Sequence, residues 1–238
     1  MTAHPVRSRS RTAAGLPPIT AEKVITAALD LTREHGLEGW SIRQLSGALG
    51  VYPGVIYHHV GDREAVVEMV TDRVVAGMPL PDGDLPWRAW FQAFLVEGRL
   101  VLREHPGTAR RLVRLGPTVP AALPAIDRGV RVLLRAGFGQ DATLVYRYLL
   151  NSAFMLVATE DEEEANPGGR SRMTEVLGAY HDADDRPGLA AAGSDVLHRA
   201  ADPRSPQEMA ADFFAFTVAR ALDGAEALIG GSGAGKAR

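Results

Sequence analysis

The sequence predicts an all-α protein, with an N-terminal helix-turn-helix unit followed by a larger helical body. Three observations predict this class. From Trp87 onward every long periodic segment repeats its apolar residues at helical spacing, and none shows the sustained alternation of a strand. Residues 41–63 have the form of two short helices joined by a tight turn. The hydrophobic content of 46% and the formal net charge of −3 are typical of a folded globular chain.

The first helix follows residues 1–18, which are rich in Arg, Ser and Pro, lack periodicity and predict a flexible basic arm. Thr20 is expected to cap a helix that runs to about Glu34 and ends at His35 and Gly36. The helix has an apolar stripe that faces a core, made of Val24, Ala28 and Leu31.

The next two helices carry strong local signals. Ser41 and Gln44, three residues apart, form a capping-box start, and Gly50 is suited to the left-handed residue that ends a helix. Pro53 fits the first turn of a second helix, in which Ile56 points inward. A short helix held at a fixed angle by its predecessor fits the major groove of DNA. The segment therefore predicts DNA binding.

A fourth helix is marked by Val66, Val70 and Val74 and runs to about Gly77. Residues 78–86 contain three prolines and are expected to be a linker. We therefore predict a DNA-binding domain over residues 19–78, a helical body over residues 79–229 and a flexible tail over residues 230–238.

The body is predicted to contain five long helices, over residues 87–104, 106–115, 120–136, 140–159 and 206–229. Residues 160–172 are acidic and then rich in Pro and Gly, which predicts a flexible, solvated loop; cation binding by its acidic run is the alternative. One further helix is expected around residues 189–200, and the remainder of 173–203 stays unassigned.

Two of these helices, over residues 140–159 and 206–229, are too apolar for ordinary surface helices. An apolar arc of that width needs a second surface to cover it. The pattern predicts a homodimer in which two helices from each subunit form a four-helix bundle; the alternative is that one monomer core covers both faces. The residues concerned include Leu144, Tyr148, Met155, Phe213 and Phe216.

The first seventy residues contain several short runs at defined spacings from one another. They are AALDL at 27–31, EHGLEG at 34–39, SIRQL at 41–45, LGV at 49–51 and IYHHV at 56–60, followed by Arg63. With these runs the segment resembles the DNA-binding domain of the tetracycline-repressor (TetR) family. A weaker resemblance, to the regulatory domain of the tetracycline repressors themselves, is carried by Trp87, by residues 104–106, 115–116 and 137–138, and by the acidic run after Thr159. The resemblance implies an all-helical homodimer that binds double-stranded operator DNA.

The resemblance also implies roles for single positions. Arg43 and Gln44 are placed to reach base edges, and four residues are placed for phosphates: Ser41, Tyr57, His59 and Arg63. Small apolar groups replace the polar readers of the drug repressors and favour contact with thymine methyls, at Pro53, Gly54 and Val55.

The remaining candidates for DNA contact are less defined. His58 is expected to contact DNA or to pack locally, because adjacent His58 and His59 point about 100° apart on a helix and are poorly placed to share a metal. The arginines of the basic arm fit phosphate or minor-groove contacts, or a solvated tail.

Ligand binding and dimerisation are assigned to the body, because the family resemblance implies release of DNA by a small-molecule inducer. Ligand pockets combine apolar walls with a few polar groups. The expected walls are Trp90, Phe94, Tyr148, Phe154 and Met155, and the groups expected to orient a polar or anionic ligand are Arg114, Asn151 and Ser152. The alternative is that the aromatic side chains are plain core and that Arg114 is solvated.

No cofactor and no metal site are expected. The chain has no cysteine, and its seven histidines make no pair at i, i+4. Tetracycline repressors hold their drug as a magnesium chelate through a histidine in the segment matching residues 110–120, which contains no histidine here. Arg114 would repel such a chelate, and Glu160 alone, near another acidic group of that site, does not rebuild it. Tetracycline held in that way is therefore not the expected inducer.

An enzyme is not expected, because no nucleophile, base and acid occur at spacings that suggest catalysis. Residues 230–236 match the first seven positions of a phosphate-binding loop, but no strand precedes them and Ala237 replaces the magnesium-binding Ser or Thr. A nucleotide-dependent enzyme that uses this loop is the disfavoured alternative.

Together the patterns predict a cytoplasmic, homodimeric transcription regulator, a repressor that a small molecule releases from its operator. No signal peptide is visible, and the most apolar stretch, residues 144–158, is shorter than the ~20 residues of a membrane span. The main alternative is a ligand-independent or activating regulator, which would lack a buried, partly polar cavity within residues 87–159.

Overall fold

The structure, a computed structural model, describes residues 19–231, which form eleven α-helices and no strand. The predicted all-α class is confirmed. The predicted arm, residues 1–18, lies outside the described residues, as do residues 232–238 of the predicted tail. The helices are α1 (Ala21–His35), α2 (Ile42–Leu49), α3 (Pro53–His59), α4 (Arg63–Ala76), α5 (Trp87–Arg103), α6 (Thr108–Leu115), α7 (Leu123–Arg135), α8 (Ala142–Ala165), α9 (Pro167–Gly178), α10 (Pro187–Ala201) and α11 (Pro206–Gly231).

Helices α1–α4 form the helix-turn-helix unit, and their ends follow the local signals of the sequence. The Thr20 hydroxyl accepts a hydrogen bond from the Lys23 amide at 3.3 Å and caps α1. Ser41 and Gln44 form the predicted capping box of α2. Gly50 ends α2 in the left-handed region, with φ 61° and ψ 41°, where a side chain would be strained.

Helix α8 is central to the body and packs against α5, α6, α7 and α11. Next to it lies an aromatic cluster in which the rings of Trp90 and Phe94 stack 5.1 Å apart and the Phe91 and Tyr146 rings meet edge-on. Gly129 of α7 permits this approach, because a Cβ there would lie 2.6 Å from the Tyr146 ring. One continuous hydrophobic core therefore extends from the helix-turn-helix unit into the body.

The prediction of a flexible loop over residues 160–172 is wrong. Helix α8 continues without a break to Ala165, and α9 begins at Pro167. Arginines of α5 cover the first two residues of the acidic run, Glu160 and Asp161, whereas residues 162–172 are exposed as predicted. Arg99 pairs with Glu160 at 2.8 Å, with both side chains largely buried. This pairing joins residues about sixty positions apart, so no local pattern reveals it.

Asp161 is the most buried carboxylate of this run, with 7% of its side chain exposed. One carboxylate oxygen accepts a hydrogen bond from Arg103 at 2.5 Å, and the other accepts one from the backbone N–H of Gly107 at 2.9 Å. Burial raises the pKa of Asp161, although the Gly107 N–H and the Arg103 guanidinium act in the opposite direction. The carboxylate therefore fixes the late turns of α8 to the α5–α6 turn.

We expect Asp161→Ala to lower the free energy of unfolding by about 1–3 kcal/mol, because the Gly107 N–H and part of Arg103 lose a buried acceptor. Asp161→Asn keeps an acceptor and should cost less. Urea denaturation measures the difference, with Glu163→Ala, which removes an exposed partner of Arg170, as the control. Equal stability of the Asp161→Ala and Glu163→Ala variants would contradict this role.

Large apolar side chains remain exposed on the outer faces of α8 and α11. Exposed apolar patches of this kind are typical of contact surfaces. Its members are Leu144, Tyr148, Met155, Phe213, Phe216 and Leu228. We call this set the α8–α11 face.

Candidate nucleic-acid interface and ligand cavity

Helix α3 is anchored on one side and open on the other. Ile56 is completely buried, Val55 is half-buried, and the exposed residues are Pro53, Gly54, Tyr57, His58 and His59. A Cβ on Gly54 would meet nothing within 4 Å, so the start of the helix offers a flat surface. A helix with this division has the geometry of one that enters a DNA groove.

The predicted DNA contacts at the start of α2 are of two kinds: Ser41 and Gln44 hydrogen-bond to each other, and Arg43 points to solvent. The side-chain oxygen of Gln44 accepts hydrogen bonds from the Ser41 amide at 2.9 Å and from the Ser41 hydroxyl at 2.8 Å. These two side chains therefore fix the helix end. Arg43 is exposed, and its guanidinium has no hydrogen bond or ion pair within residues 19–231. Its charge is available to a partner outside the chain.

Arg63, expected at a phosphate, binds the loop between α1 and α2 in this DNA-free structure. Its Nε donates to the Trp40 carbonyl at 3.1 Å, and one terminal nitrogen donates to the Leu37 carbonyl at 2.9 Å. The guanidinium carbon lies 4.9 Å from the centroid of the Trp40 ring. A further contact joins it to Glu38 at 3.2 Å. The side chain holds the start of α4 against the loop that leads into α2.

Tyr52, at the N-cap of α3, was not selected from the sequence. Its side chain is 76% exposed, and it stands directly before the open end of the helix. A signal was present, because an aromatic residue between a helix-ending glycine and Pro53 has no core position to fill. Tyr52 therefore belongs with Tyr57 among the candidates for phosphate contact.

The body contains a cavity of about 70 Å³, between α4, α5, α6, α7 and α8. Its lining is mainly apolar, with Phe94 and Phe154 among the walls. The polar groups are Tyr146, Arg147 and Asn151, all from α8. Its combination of apolar walls and a few polar groups is that of a ligand site, although its volume is below the usual few hundred Å³.

Of the predicted ligand residues, Phe94, Asn151 and Phe154 line this cavity. Trp90 is fully buried behind Phe94, and its Nε1 has no hydrogen-bond partner among the described residues. The others lie outside the lining: Tyr148 and Met155 on the α8–α11 face, Ser152 half-buried nearby, and Arg114 in an open cleft beside the α1–α2 loop.

The cavity reaches the helix-turn-helix unit directly, because Val75 of α4 and Met78, just after it, form part of its wall. Two polar contacts join the same helix to the body. Glu64 accepts a hydrogen bond from Arg111 at 2.5 Å, and Asp72 accepts one from the backbone N–H of Ala121 at 2.8 Å. A molecule that widened the cavity would therefore act on α4 without an intermediary.

Within residues 19–231 no three His, Asp or Glu side chains lie together in a way that could hold a metal ion. Glu160 is paired with Arg99 and Arg103. None of the described helices combines the length and apolar character needed to cross a membrane. The glycine-rich segment 230–236 falls outside the described residues after its first two positions.

Comparison with known proteins adds to this geometry. No protein-family model matches the chain. An HTH-type transcriptional regulator of Saccharopolyspora erythraea is 31% identical over 180 residues, 73% of this chain and 75% of the relative. The tetracycline repressor protein class E of Escherichia coli is 30% identical over 154 residues, 62% of this chain and 71% of the relative. The crystal structure of ActR from Streptomyces coelicolor in complex with actinorhodin has the same fold, with a TM-score of 0.65, 20% identity and coverage of 88% of this chain and 99% of ActR.

Proposed function

The chain belongs to the tetracycline-repressor (TetR) family of DNA-binding transcription regulators, and we propose that it is a homodimeric repressor that a small molecule releases from its operator. One observation carries the proposal. The wall of the cavity in the body includes Val75 and Met78, at the end of the helix that begins beside the DNA-binding surface. Ligand binding and DNA binding therefore share α4.

The mechanism is a shift between two populations. Two recognition helices of a dimer must enter successive major grooves, about 34–36 Å apart. A ligand that fits only a widened cavity favours a conformation in which α4 is displaced and this spacing is lost. ActR, a protein of the same fold, is known with the small molecule actinorhodin bound. That likeness supports a ligand-binding role for the body of this chain.

The proposed dimer is supported by the α8–α11 face, which holds Phe213 and Phe216 on one helix and Tyr148 on the other. Two such faces, related by a two-fold axis, form a four-helix bundle and cover one another. A dimer also gives the operator two half-sites, which a single seven-residue recognition helix needs for useful specificity.

At the DNA we assign base contact to Arg43, whose guanidinium has no partner within the described residues. Pro53, Gly54 and Val55 face thymine methyl groups, and Tyr52, Tyr57, His58 and His59 lie along the backbone. Ser41, Gln44 and Arg63 position these groups, since their side chains are bonded within the helix-turn-helix unit. The amide nitrogen of Gln44 still has donors for a base or phosphate.

The assignment of Arg43 is tested on an operator selected by the full-length protein from random DNA. Arg43→Ala should weaken binding by about 1–3 kcal/mol and relax base preference at one position of each half-site. Arg172→Ala is the matched control, because it removes an exposed arginine from α9, outside the helix-turn-helix unit. If the two variants lost operator affinity equally, or if Arg43→Ala kept the base preference of the wild type, Arg43 would not be a base-reading residue.

A further inference from the structure

The polar groups that line the cavity all lie on one helix, and the single charged one is positive. Its polar groups, Tyr146, Arg147 and Asn151, all belong to α8, and no Asp or Glu is among its lining residues. The remaining walls include Phe94, Leu150 and Phe154. The cavity therefore has an apolar interior and one cationic edge.

Arg147 has no counter-ion within residues 19–231, whereas the more buried arginines of the body do. Arg99 meets Glu160, Arg103 meets Asp161 and Arg111 meets Glu64. The Arg147 guanidinium has no hydrogen bond or ion pair in that range, and the same holds for the Asn151 side chain. Because these two residues are four apart on a helix, they are neighbours on one face. They can bind one anionic group together, with the planar guanidinium matching a carboxylate.

Tyr146 adds a neutral donor beside this pair. Its side chain is 5% exposed, and its hydroxyl has no hydrogen-bond partner among the described residues. Burial raises the pKa of Tyr146, so the hydroxyl keeps its proton at neutral pH. The hydroxyl lies at the cavity wall and can donate to an acceptor atom on a ligand.

We propose that the ligand of this cavity is an aromatic monocarboxylate. Its ring system lies against Phe94, Leu150 and Phe154, its carboxylate binds Arg147 and Asn151, and Tyr146 donates to an oxygen of the ligand. The inference rests on the proposed function, since it names the chemical class of the inducer. The cavity of about 70 Å³ is smaller than such a molecule, so binding must widen the wall that contains Val75 and Met78.

Three probes with one ring system and different charge test the proposal: 2-naphthoate, 2-naphthamide and 2-naphthylmethylammonium. Binding to the full-length protein is measured by calorimetry without DNA. We expect the carboxylate to bind about three- to tenfold more tightly than the amide, and the ammonium most weakly, because Arg147 and Asn151 are both exposed and water screens their charge interactions. Equal affinity of the carboxylate and the amide, or no binding by any of the three, would overturn the proposal.

Two arginine variants test whether Arg147 causes the preference for the carboxylate over the amide. Arg147→Gln should reduce the affinity for 2-naphthoate to that for 2-naphthamide and leave the amide unaffected. Arg172→Gln, which removes an exposed arginine of α9 outside the cavity lining, should leave both affinities unchanged. An unchanged preference for the carboxylate in Arg147→Gln would place the anion elsewhere and overturn the proposal.

Operator release, measured separately by mobility shift, distinguishes this inference from the proposed function. If 2-naphthoate binds through Arg147 but leaves the operator complex intact, the ligand class stands and the inducer role fails. If a neutral or cationic compound releases the operator equally well from the wild type and from Arg147→Gln, the repressor function stands and the aromatic carboxylate is wrong.

Discussion

Phe216→Glu should convert the protein into a monomer that no longer holds a two-half-site operator tightly. Phe216 is 61% exposed at the centre of the α8–α11 face, beside Phe213 of the same helix. In the proposed four-helix bundle the new carboxylate would be buried against apolar side chains, which costs several kcal/mol; Arg220, whose guanidinium lies 5.8 Å from the Phe216 ring centroid, offsets only part of that cost. Sedimentation of the purified protein at micromolar concentration measures the association, and mobility shift measures operator binding.

The matched control is Leu123→Glu, which introduces the same charge at an equally exposed leucine of α7 and should stay dimeric. Circular dichroism must show that Phe216→Glu keeps its helical content. Leu149 is unsuitable for this test, because it is fully buried in the monomer core and a charge there would unfold the chain. A wild type that sediments as a monomer, or a dimeric Phe216→Glu variant, would remove the dimer from the proposal.

Arg63→Ala is expected to lower the free energy of unfolding by about 2–3 kcal/mol, because two backbone carbonyls of the α1–α2 loop lose charged donors and Trp40 loses a cation over its ring. Operator affinity should fall for all sequences alike. The slope of log affinity against log salt should stay as in the wild type, since no phosphate contact is removed. Chemical denaturation and a salt titration of operator binding measure both effects.

Arg63→Lys separates this positioning role from a phosphate contact. Lysine keeps the charge but cannot bond the Trp40 and Leu37 carbonyls at once with a planar fork, so stability should remain low. A phosphate contact would instead be largely restored by lysine. If Arg63→Ala had the free energy of unfolding of the wild type, and the slope of log affinity against log salt fell by about one, Arg63 would be a phosphate contact.

The features that the sequence predicted correctly are those set by local chemistry. The capping box of Ser41 and Gln44, the left-handed Gly50 and the first-turn Pro53 each act within a few residues. The apolar stripe of α4 and the starts of α5 and α11 likewise follow from periodicity alone. Such signals do not depend on which distant segment packs against them, so the helix-turn-helix unit was available from the sequence.

The features that were missed depend on distant partners. Residues 160–165 look like a loop from their composition, because the sequence does not show that Arg99 and Arg103 pair with Glu160 and Asp161. Helix α8 is apolar on both sides, so its pattern fits a cavity lined by Tyr148 as well as one lined by Tyr146. The packing of α8 against α5 and α7 decides which of its faces lines the cavity. The same limit applies to the hydrogen bonds of Arg63 within the chain, because their acceptors are backbone carbonyls that no side-chain pattern reports.

The small volume of the cavity sets how the proposed regulator would respond to dose. If the protein spends most of its time with the cavity too narrow for a ligand, the apparent dissociation constant exceeds the intrinsic one by the reciprocal of the open fraction. The concentration at which transcription begins would then depend on the closed–open equilibrium as much as on ligand contacts. Substitutions that touch no ligand, such as those along α4, could therefore retune the threshold of a promoter while leaving its chemical selectivity unchanged.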